Sequence, residues 1–242
     1  MVDYFNKYNI KVQDNSIAIV GWEEGQAGRV HSWLEKSEDY HVACFVNWTD
    51  EPLSIDENCI DRHLGQFSYP TNNTFKNKPL INSSNWANYI KKYGLKKALI
   101  TIEDPYIRNE QIQYAIENDI ELINAIHPSV SVMEDAIFEN NIIIHAGALI
   151  GYKAEICFGT FISYGSIINH HCALKDCSTI DAGVTLAGNV SVGRFATIHT
   201  GASVINKIKI GDSSVLGAGT VVIRDVPDNT TVVGVPGKKI KK

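Results

Sequence analysis

The sequence lacks the features that mark several special classes of protein. No stretch approaches 18 consecutive apolar residues, and the N-terminal segment has no apolar core of the kind that a secretion signal needs. The five cysteines include no CxxC pair, so buried thiols in a reducing compartment are expected rather than disulfides or a metal site. These absences predict a cytoplasmic protein without a membrane span or a bound metal.

A broad basic surface is also missing. The net charge is −5, and basic residues gather only in a short C-terminal tail: Lys238, Lys239, Lys241 and Lys242. A nucleic-acid partner is therefore not expected, because its phosphates require an extended basic face.

A six-residue repeat dominates the second half of the chain. Every sixth residue from Val132 to Val222 is large and apolar, sixteen times in succession without a slip. Four residues after each of these comes a mostly small residue, and glycine often occupies the position three residues after. The glycines at this position are Gly147, Gly159, Gly165, Gly183, Gly201 and Gly219.

The period of six predicts a parallel β-helix, in which three short strands and three corners form one coil of 18 residues. Glycine at a corner permits a positive φ that other residues resist. The 132–222 window would form about five coils around an aliphatic core. Because the flat faces of such a prism leave apolar side chains under-covered, we expect a homotrimer.

The first half of the chain alternates strand and helix patterns. Apolar runs at 16–21, 41–47, 97–102 and 121–126 are typical of buried strands. Helical patterns lie around 29–35, at 84–94 with Gly94 as the stop signal, and at 105–118 with a proline in the first turn. The segment from about 48 to 82 looks irregular. This alternation predicts a small parallel βαβ sheet.

Ligands of such sheets bind beyond the carboxyl ends of the strands, here near Gly21 and Asn47. The turn from Gly21 spaces three glycines, with Gly25 and Gly28, but it is not a GxGxxG motif. Phosphate binding at this turn and a plain strand-to-helix connection remain equally open.

The order of landmarks resembles one family across nearly the whole chain. A βαβ region, then His127-Pro128-Ser129, then hexapeptide repeats, then GVPGKK at 234–239 is similar to hexapeptide-repeat sugar acyltransferases of the sialic-acid O-acetyltransferase type. That family includes bacterial nucleotide-sugar 4-amino N-acetyltransferases. The resemblance implies a nucleotide-sugar-binding domain at 1–126 and a left-handed β-helix acyltransferase domain at 127–242.

The resemblance also implies site residues. The segment SIINHHC at 166–172 would supply His170 as the general base, and the Gly188 N–H would hold the thioester carbonyl of acetyl-CoA between subunits of a trimer. Spacing agrees, because Gly188 lies 18 residues after His170 and hence one coil above it. Ala218 is expected to contribute to CoA binding. For Lys238 and Lys239 in the basic tail, contact with the CoA phosphates and an ordinary solvated tail are equally open. The acceptor sugar is expected to contact Gly21, Gly25, Gly28, Asn47, His171 and Thr179.

Three positions depart from the family pattern. His171 stands where an acidic neighbour of the base is usual, Thr179 where a second histidine is common, and Ser163 where asparagine is frequent. The group that orients His170 is therefore undefined by sequence.

The sequence is also compatible with other functions. The same base would serve O-acetylation of a hydroxyl, and His170, His171 and His199 are compatible with a trimeric zinc hydratase. Loss of the acidic neighbour and the second histidine is compatible with a non-catalytic binding module.

Overall fold

A computed structural model describes residues 10–22, 24–50 and 74–240 of the chain. Cys59, Lys241 and Lys242 lie outside the described residues. The described residues fall into two compact units. One contains those up to Glu103 together with Glu110–Ile123, and the other contains Asp104–Asn109 and those from Asn124 onward.

The first unit is built on a six-stranded sheet with the strand order β3-β4-β2-β1-β5-β6. All neighbours pair in parallel except β3 and β4. The strands are β1 (Ser16–Val20), β2 (His41–Asn47), β3 (Thr74–Phe75), β4 (Lys78–Asn82), β5 (Lys97–Ile100) and β6 (Glu121–Leu122). The helices of the described residues are a π-helical turn (Glu24–Gly28), α1 (Arg29–Leu34), a 3-10 turn (Glu35–Ser37), α2 (Trp86–Lys92) and α3 (Pro105–Glu117).

Apolar burial explains these elements. All five residues of β1 are buried, and Phe45 of β2 meets Phe75 edge to face with 4.8 Å between ring centroids. The chain leaves α2 through Gly94, whose φ of +85° is accessible to glycine, as the sequence predicted. At the start of α3, the Asp104 carboxylate accepts hydrogen bonds from the N–H groups of the first turn.

Two sequence predictions for this region were wrong. The segment from 48 to 82 was expected to be irregular. Residues 51–73 of it lie outside the described residues, but over 74–82 β3 and β4 form an edge hairpin whose turn residues, Lys76 and Asn77, have positive φ. The expected single strand at 121–126 is two strands. Its second half, β7 (Ala125–Ile126), pairs with a β-helix strand, because the Asn124 side chain bonds Glu139 O and the Ile142 N–H and turns the chain.

From β7 onward the chain forms a left-handed parallel β-helix, which confirms the predicted fold. Apart from the last two strands, three parallel sheets each take one two-residue strand from every coil, and partners are 18 residues apart, as in Ile144↔Ile162. The last two strands pair with each other antiparallel. The strands are β8 (Ser131–Val132), β9 (Ile137–Phe138), β10 (Ile143–Ile144), β11 (Leu149–Ile150), β12 (Glu155–Ile156), β13 (Phe161–Ile162), β14 (Ile167–Ile168), β15 (Ala173–Leu174), β16 (Thr179–Ile180), β17 (Thr185–Leu186), β18 (Ser191–Val192), β19 (Thr197–Ile198), β20 (Ser203–Val204), β21 (Lys209–Ile210), β22 (Val215–Leu216), β23 (Val221–Val222), β24 (Thr231–Val233) and β25 (Lys238–Lys239).

The predicted inward positions form the β-helix core. The repeat residues from Ile144 to Val222 are all buried, whereas Val132 in the first coil is 45% exposed because no preceding coil covers it. All six predicted corner glycines have positive φ. Up to Ser213, non-glycine residues at the same corner position adopt the left-handed region as well, as His171 does with φ of +56°. In the described part of the chain, no helix is long and apolar enough to cross a membrane.

Candidate active site

His170 lies at the corner between β14 and β15, with its side chain exposed. Its backbone N–H donates to Asn169 Oδ1 at 2.8 Å, which fixes the start of the turn. The next residue, His171, completes the turn in the left-handed conformation. The hexad therefore places an imidazole outward from the aliphatic core, as the sequence predicted.

Gly188 lies one coil above His170 and in direct contact with its ring. The Asn189 N–H donates to His170 O at 2.9 Å, so the two corners are stacked. A Cβ added to Gly188 would come within 2.3 Å of both Cε1 and Nε2 of His170. The absence of a side chain at Gly188 is thus what allows the imidazole to lie where it does.

The Gly188 N–H is available to a ligand. Gly188 O accepts from the Lys207 N–H at 3.0 Å, but among the residues that the structure describes none accepts a hydrogen bond from the Gly188 N–H. Free N–H groups recur at this point of other corners, so the distinguishing feature of Gly188 is the adjacent imidazole. A hydrogen-bond donor beside a base is the arrangement that acyl transfer from a thioester requires.

His171 occupies the remaining side of His170. The two Nδ1 atoms are 3.1 Å apart, and the rings meet nearly at right angles with centroids 5.3 Å apart. The ring of Tyr152, one coil below, packs edge-on against His171 at 5.7 Å. His171 thus presents a ring nitrogen to His170.

Thr179 and Ser163 are not brought to His170 within this chain. Thr179 lies in β16 and Ser163 directly follows β13 of the same sheet, whereas His170 follows a strand of another sheet. Thr179 Oγ1 accepts a hydrogen bond from Arg108 Nη2 at 2.9 Å, and the same nitrogen donates to Cys177 O at 2.9 Å. Arg108 is only 3% exposed. Sequence reasoning missed this arginine because its partners lie about 70 residues away and no local pattern marks it.

Apart from Gly188, the predicted CoA-binding residues lie in or next to the sheet that contains Thr179. Ala218 is an exposed corner residue that follows β22, and Lys238 and Lys239 form β25, which pairs with β24 at the end of that sheet. They share neither a sheet nor a corner with Gly188. Within one chain the structure therefore separates the predicted CoA residues into two groups.

The cysteines near the site have no catalytic environment. Burial raises the pKa of both the Cys172 and the Cys177 thiol, which disfavours the nucleophilic thiolate. The Cys172 thiol donates to Ala187 O at 3.2 Å. This agrees with the expectation that both thiols are structural.

The other β-helix histidines are engaged elsewhere. His199 Nδ1 lies 2.8 Å from Asp181 Oδ2, one coil below, and this exposed pair was anticipated from the 18-residue spacing. His145 is fully buried and stacks on the Tyr164 ring with centroids 4.5 Å apart. Neither is joined to His170 by a hydrogen bond in the described residues.

In the first unit, Gly21 and Asn47 come together at the carboxyl edge of the sheet. The Gly21 N–H donates to Val46 O at 2.8 Å, and a Cβ at Gly21 would lie 2.6 Å from Thr101 Oγ1. Asn47 is buried, and its Nδ2 donates to Asn82 Oδ1 at 3.1 Å. The edge is therefore tightly built and rich in amide groups.

Gly25 and Gly28 do not form an open loop. Both lie in the π-helical turn, and Gly28 passes directly into α1 with φ of −64° and ψ of −40°. Phosphate binding by a glycine loop at this point stays a prediction, but the backbone there is helical.

No family model matches the chain. Among solved structures it is similar to GDP-perosamine N-acetyltransferase from Caulobacter crescentus, solved with CoA and GDP-perosamine, at 26% identity and a TM-score of 0.81. A histidine-to-alanine variant of that enzyme with the same two ligands aligns at 25% identity and the same TM-score. In each case the match covers 96% of this chain and 100% of that chain.

A second similar structure is the acetyltransferase domain of PglB from Neisseria gonorrhoeae, solved with acetyl coenzyme A. Its identity to this chain is 22% and the TM-score is 0.78, over 94% of this chain and 100% of that chain. At this level of identity the likeness concerns the fold.

Proposed function

We propose that this chain transfers the acetyl group of acetyl-CoA to the amine of a nucleotide-linked amino sugar. One observation carries the proposal: the His170 imidazole lies directly against Gly188, whose N–H is available to a ligand. The likeness to a GDP-perosamine N-acetyltransferase over nearly the whole chain supports the same reaction. The activity expected from the sequence and the activity of that enzyme agree.

The proposed mechanism is direct attack. The acceptor amine adds to the thioester carbonyl carbon while Nε2 of His170 takes the proton that the amine loses. The C–S bond then breaks, the amide remains on the sugar, and the departing CoA thiolate is protonated by the His170 imidazolium. General-base assistance of this kind typically contributes about 10²–10⁴-fold to the rate.

The developing oxyanion requires a donor near the base. The Gly188 N–H is that donor in our proposal, because it lies on the corner stacked directly above His170 and is not used by the coil. Backbone donors of this type are already oriented before the reaction, so they stabilise charge without reorganisation.

We assign acceptor binding to the first unit, at the edge formed by Gly21 and Asn47, with Gly25 and Gly28 nearby in sequence. His171 and Thr179 are assigned to the acceptor as well. For CoA we assign Gly188, Ala218, Lys238 and Lys239.

Because Gly188 and the other CoA residues lie on different corners of one chain, a homotrimer with its active sites between subunits would unite them. Exposed apolar side chains on the β-helix support such association. They include Ile137, 60% exposed, and Ile167, 39% exposed. We place the enzyme in the cytoplasm, where acetyl-CoA and nucleotide sugars occur.

The test is a panel of nucleotide-linked sugars incubated with acetyl-CoA. We expect free thiol to appear only with amino sugars and the product to carry an amide, identified by mass and by resistance to mild alkaline hydrolysis. An alkali-labile ester on a hydroxy sugar would instead place the chain with the sialic-acid O-acetyltransferase type. Thiol release with no acceptor would contradict the proposal.

A further inference from the structure

The corner position of His171 is occupied by polar residues in five successive coils. Asp135, Lys153, His171, Asn189 and Lys207 lie 18 residues apart, and all have φ between 54° and 65°. The corner therefore accepts aspartate, asparagine or lysine as readily as histidine. Backbone geometry does not explain why this coil carries a second imidazole next to His170.

We infer that His171 is a positioning residue, which accepts a hydrogen bond from Nδ1–H of His170 and so keeps the lone pair of His170 on Nε2. The inference rests on the proposed function, since it concerns the base of that reaction. The observation that carries it is the 3.1 Å separation of the two Nδ1 atoms.

The distance alone fits two proton arrangements. In one, His170 carries its proton on Nδ1 and donates to the lone pair of His171. In the other, His171 donates to His170, and the His170 proton moves to Nε2. Only the first arrangement leaves Nε2 able to take a proton, because a neutral imidazole has a single lone pair. Nε2 is also on the ring edge that lies against Gly188.

A neutral imidazole is a sufficient acceptor in place of a carboxylate. When His170 takes the substrate proton it becomes an imidazolium, and its Nδ1–H then donates a stronger, charge-assisted hydrogen bond to His171. The bond thus strengthens as charge develops on the base. The Tyr152 ring packs against His171 edge-on and limits its rotation, and Lys153 Nζ lies 5.1 Å from the centre of the Tyr152 ring.

The chain supplies its own matched substitutions for the test. His171→Asp, His171→Asn and His171→Lys each place at this corner a residue type that the same corner carries in another coil. Aspartate only accepts, asparagine can accept, and lysine only donates. The three variants should therefore fold alike while differing in whether the side chain at position 171 can accept a hydrogen bond from His170.

Two measurements on the full-length protein test whether His171 keeps the His170 proton on Nδ1. The first is kcat on the pH-independent plateau, and the second is the ¹⁵N chemical shifts of the His170 ring, assigned with His170→Ala. At saturating acceptor we expect His171→Asp and His171→Asn to keep the His170 proton on Nδ1 and to lose less kcat than His171→Lys. Loss of the acceptor contact assigned to His171 should appear as a higher KM in all three variants. We expect His171→Lys to lose at least about tenfold in kcat, in line with the loss of an orienting partner, and to move the proton to Nε2.

The pH profile separates orientation from charge. A carboxylate at 171 favours the imidazolium and should move the acidic limb of kcat/KM to higher pH, whereas lysine should move it to lower pH. If the side chain at position 171 affected His170 only through its charge, His171→Lys would have the same kcat as the parent on the pH-independent plateau.

Equal plateau kcat for all three variants, or a parent His170 that carries its proton on Nε2, would overturn the inference. The ¹⁵N measurement needs no substrate. If the protein transferred no acetyl group, the proposed function would be contradicted. The ¹⁵N shifts would still show which ring nitrogen of His170 carries the proton, and so would still test the role of His171.

Discussion

Replacing Gly188 by alanine tests the contact on which the proposed site depends. The added methyl carbon would lie 2.3 Å from Cε1 and Nε2 of His170, and optimal contacts between such atoms are about 3.5–4.0 Å. The imidazole must therefore move by about 1 Å or more. A misplacement of that size typically lowers an enzymatic rate by about a hundredfold. We expect kcat for acetyl transfer to fall by this amount at saturating acetyl-CoA.

Thermal stability should respond differently. The atoms that Gly188→Ala displaces belong to an exposed side chain that can rotate, and the φ of Gly188 is not in the left-handed region. Replacing glycine by alanine in a compatible conformation stabilises by about 0.4–1 kcal/mol through the unfolded state. Tm should therefore stay the same or rise slightly.

Gly193→Ala is the matched control. A Cβ at Gly193 would lie 2.6 Å from backbone atoms of Gly211 and Asp212, so the coil itself must shift. Overpacking of this kind costs about 1–3 kcal/mol. We expect a lower Tm with normal kcat, the reverse of Gly188→Ala. If Gly188→Ala kept its full kcat, or if both variants lost stability and activity in parallel, the role given to Gly188 would be wrong.

Three further predictions concern assembly, the acceptor and the thiols. Sedimentation should give a trimer, and a fully active monomer of about the 26.8 kDa chain mass would exclude shared active sites. A chain truncated to begin at Ala125 keeps every β-helix strand and should bind acetyl-CoA but lose the nucleotide sugar; normal acetylation of the full substrate would refute the acceptor assignment. Burial raises the pKa of the Cys44 thiol to about 12, so iodoacetamide at pH 8 should label Cys44 only after unfolding, and rapid labelling of the folded protein would contradict its burial.

The β-helix was predictable because its signal is periodic. A hexad fixes which residue of each coil points inward, and the 18-residue coil places Gly188 above His170 without any knowledge of side-chain packing. The same arithmetic anticipated the contact between His199 and Asp181. The edge hairpin of β3 and β4 was missed because a short strand with Pro79 and polar neighbours has no apolar alternation.

The side-chain contacts in the β-helix around His170 and Thr179 could not be predicted from the sequence. The hydrogen bond from Arg108 to Thr179 joins residues 71 positions apart, and no repeat or motif relates them. The approach of His171 Nδ1 to His170 Nδ1 depends on side-chain rotamers at a corner. Sequence identifies the two neighbours but gives no information on which atoms meet.

The most direct test of the central claim is the single-turnover rate of His170→Ala with acetyl-CoA and a nucleotide-linked amino sugar. His170 is exposed and contributes nothing to the aliphatic core, so Tm, oligomeric state and acetyl-CoA affinity should match those of the parent. The rate of amide formation should fall by at least about a hundredfold, the lower range for loss of a general base. A variant that binds both substrates and forms the amide at the parent rate would contradict the assignment of His170 as the base.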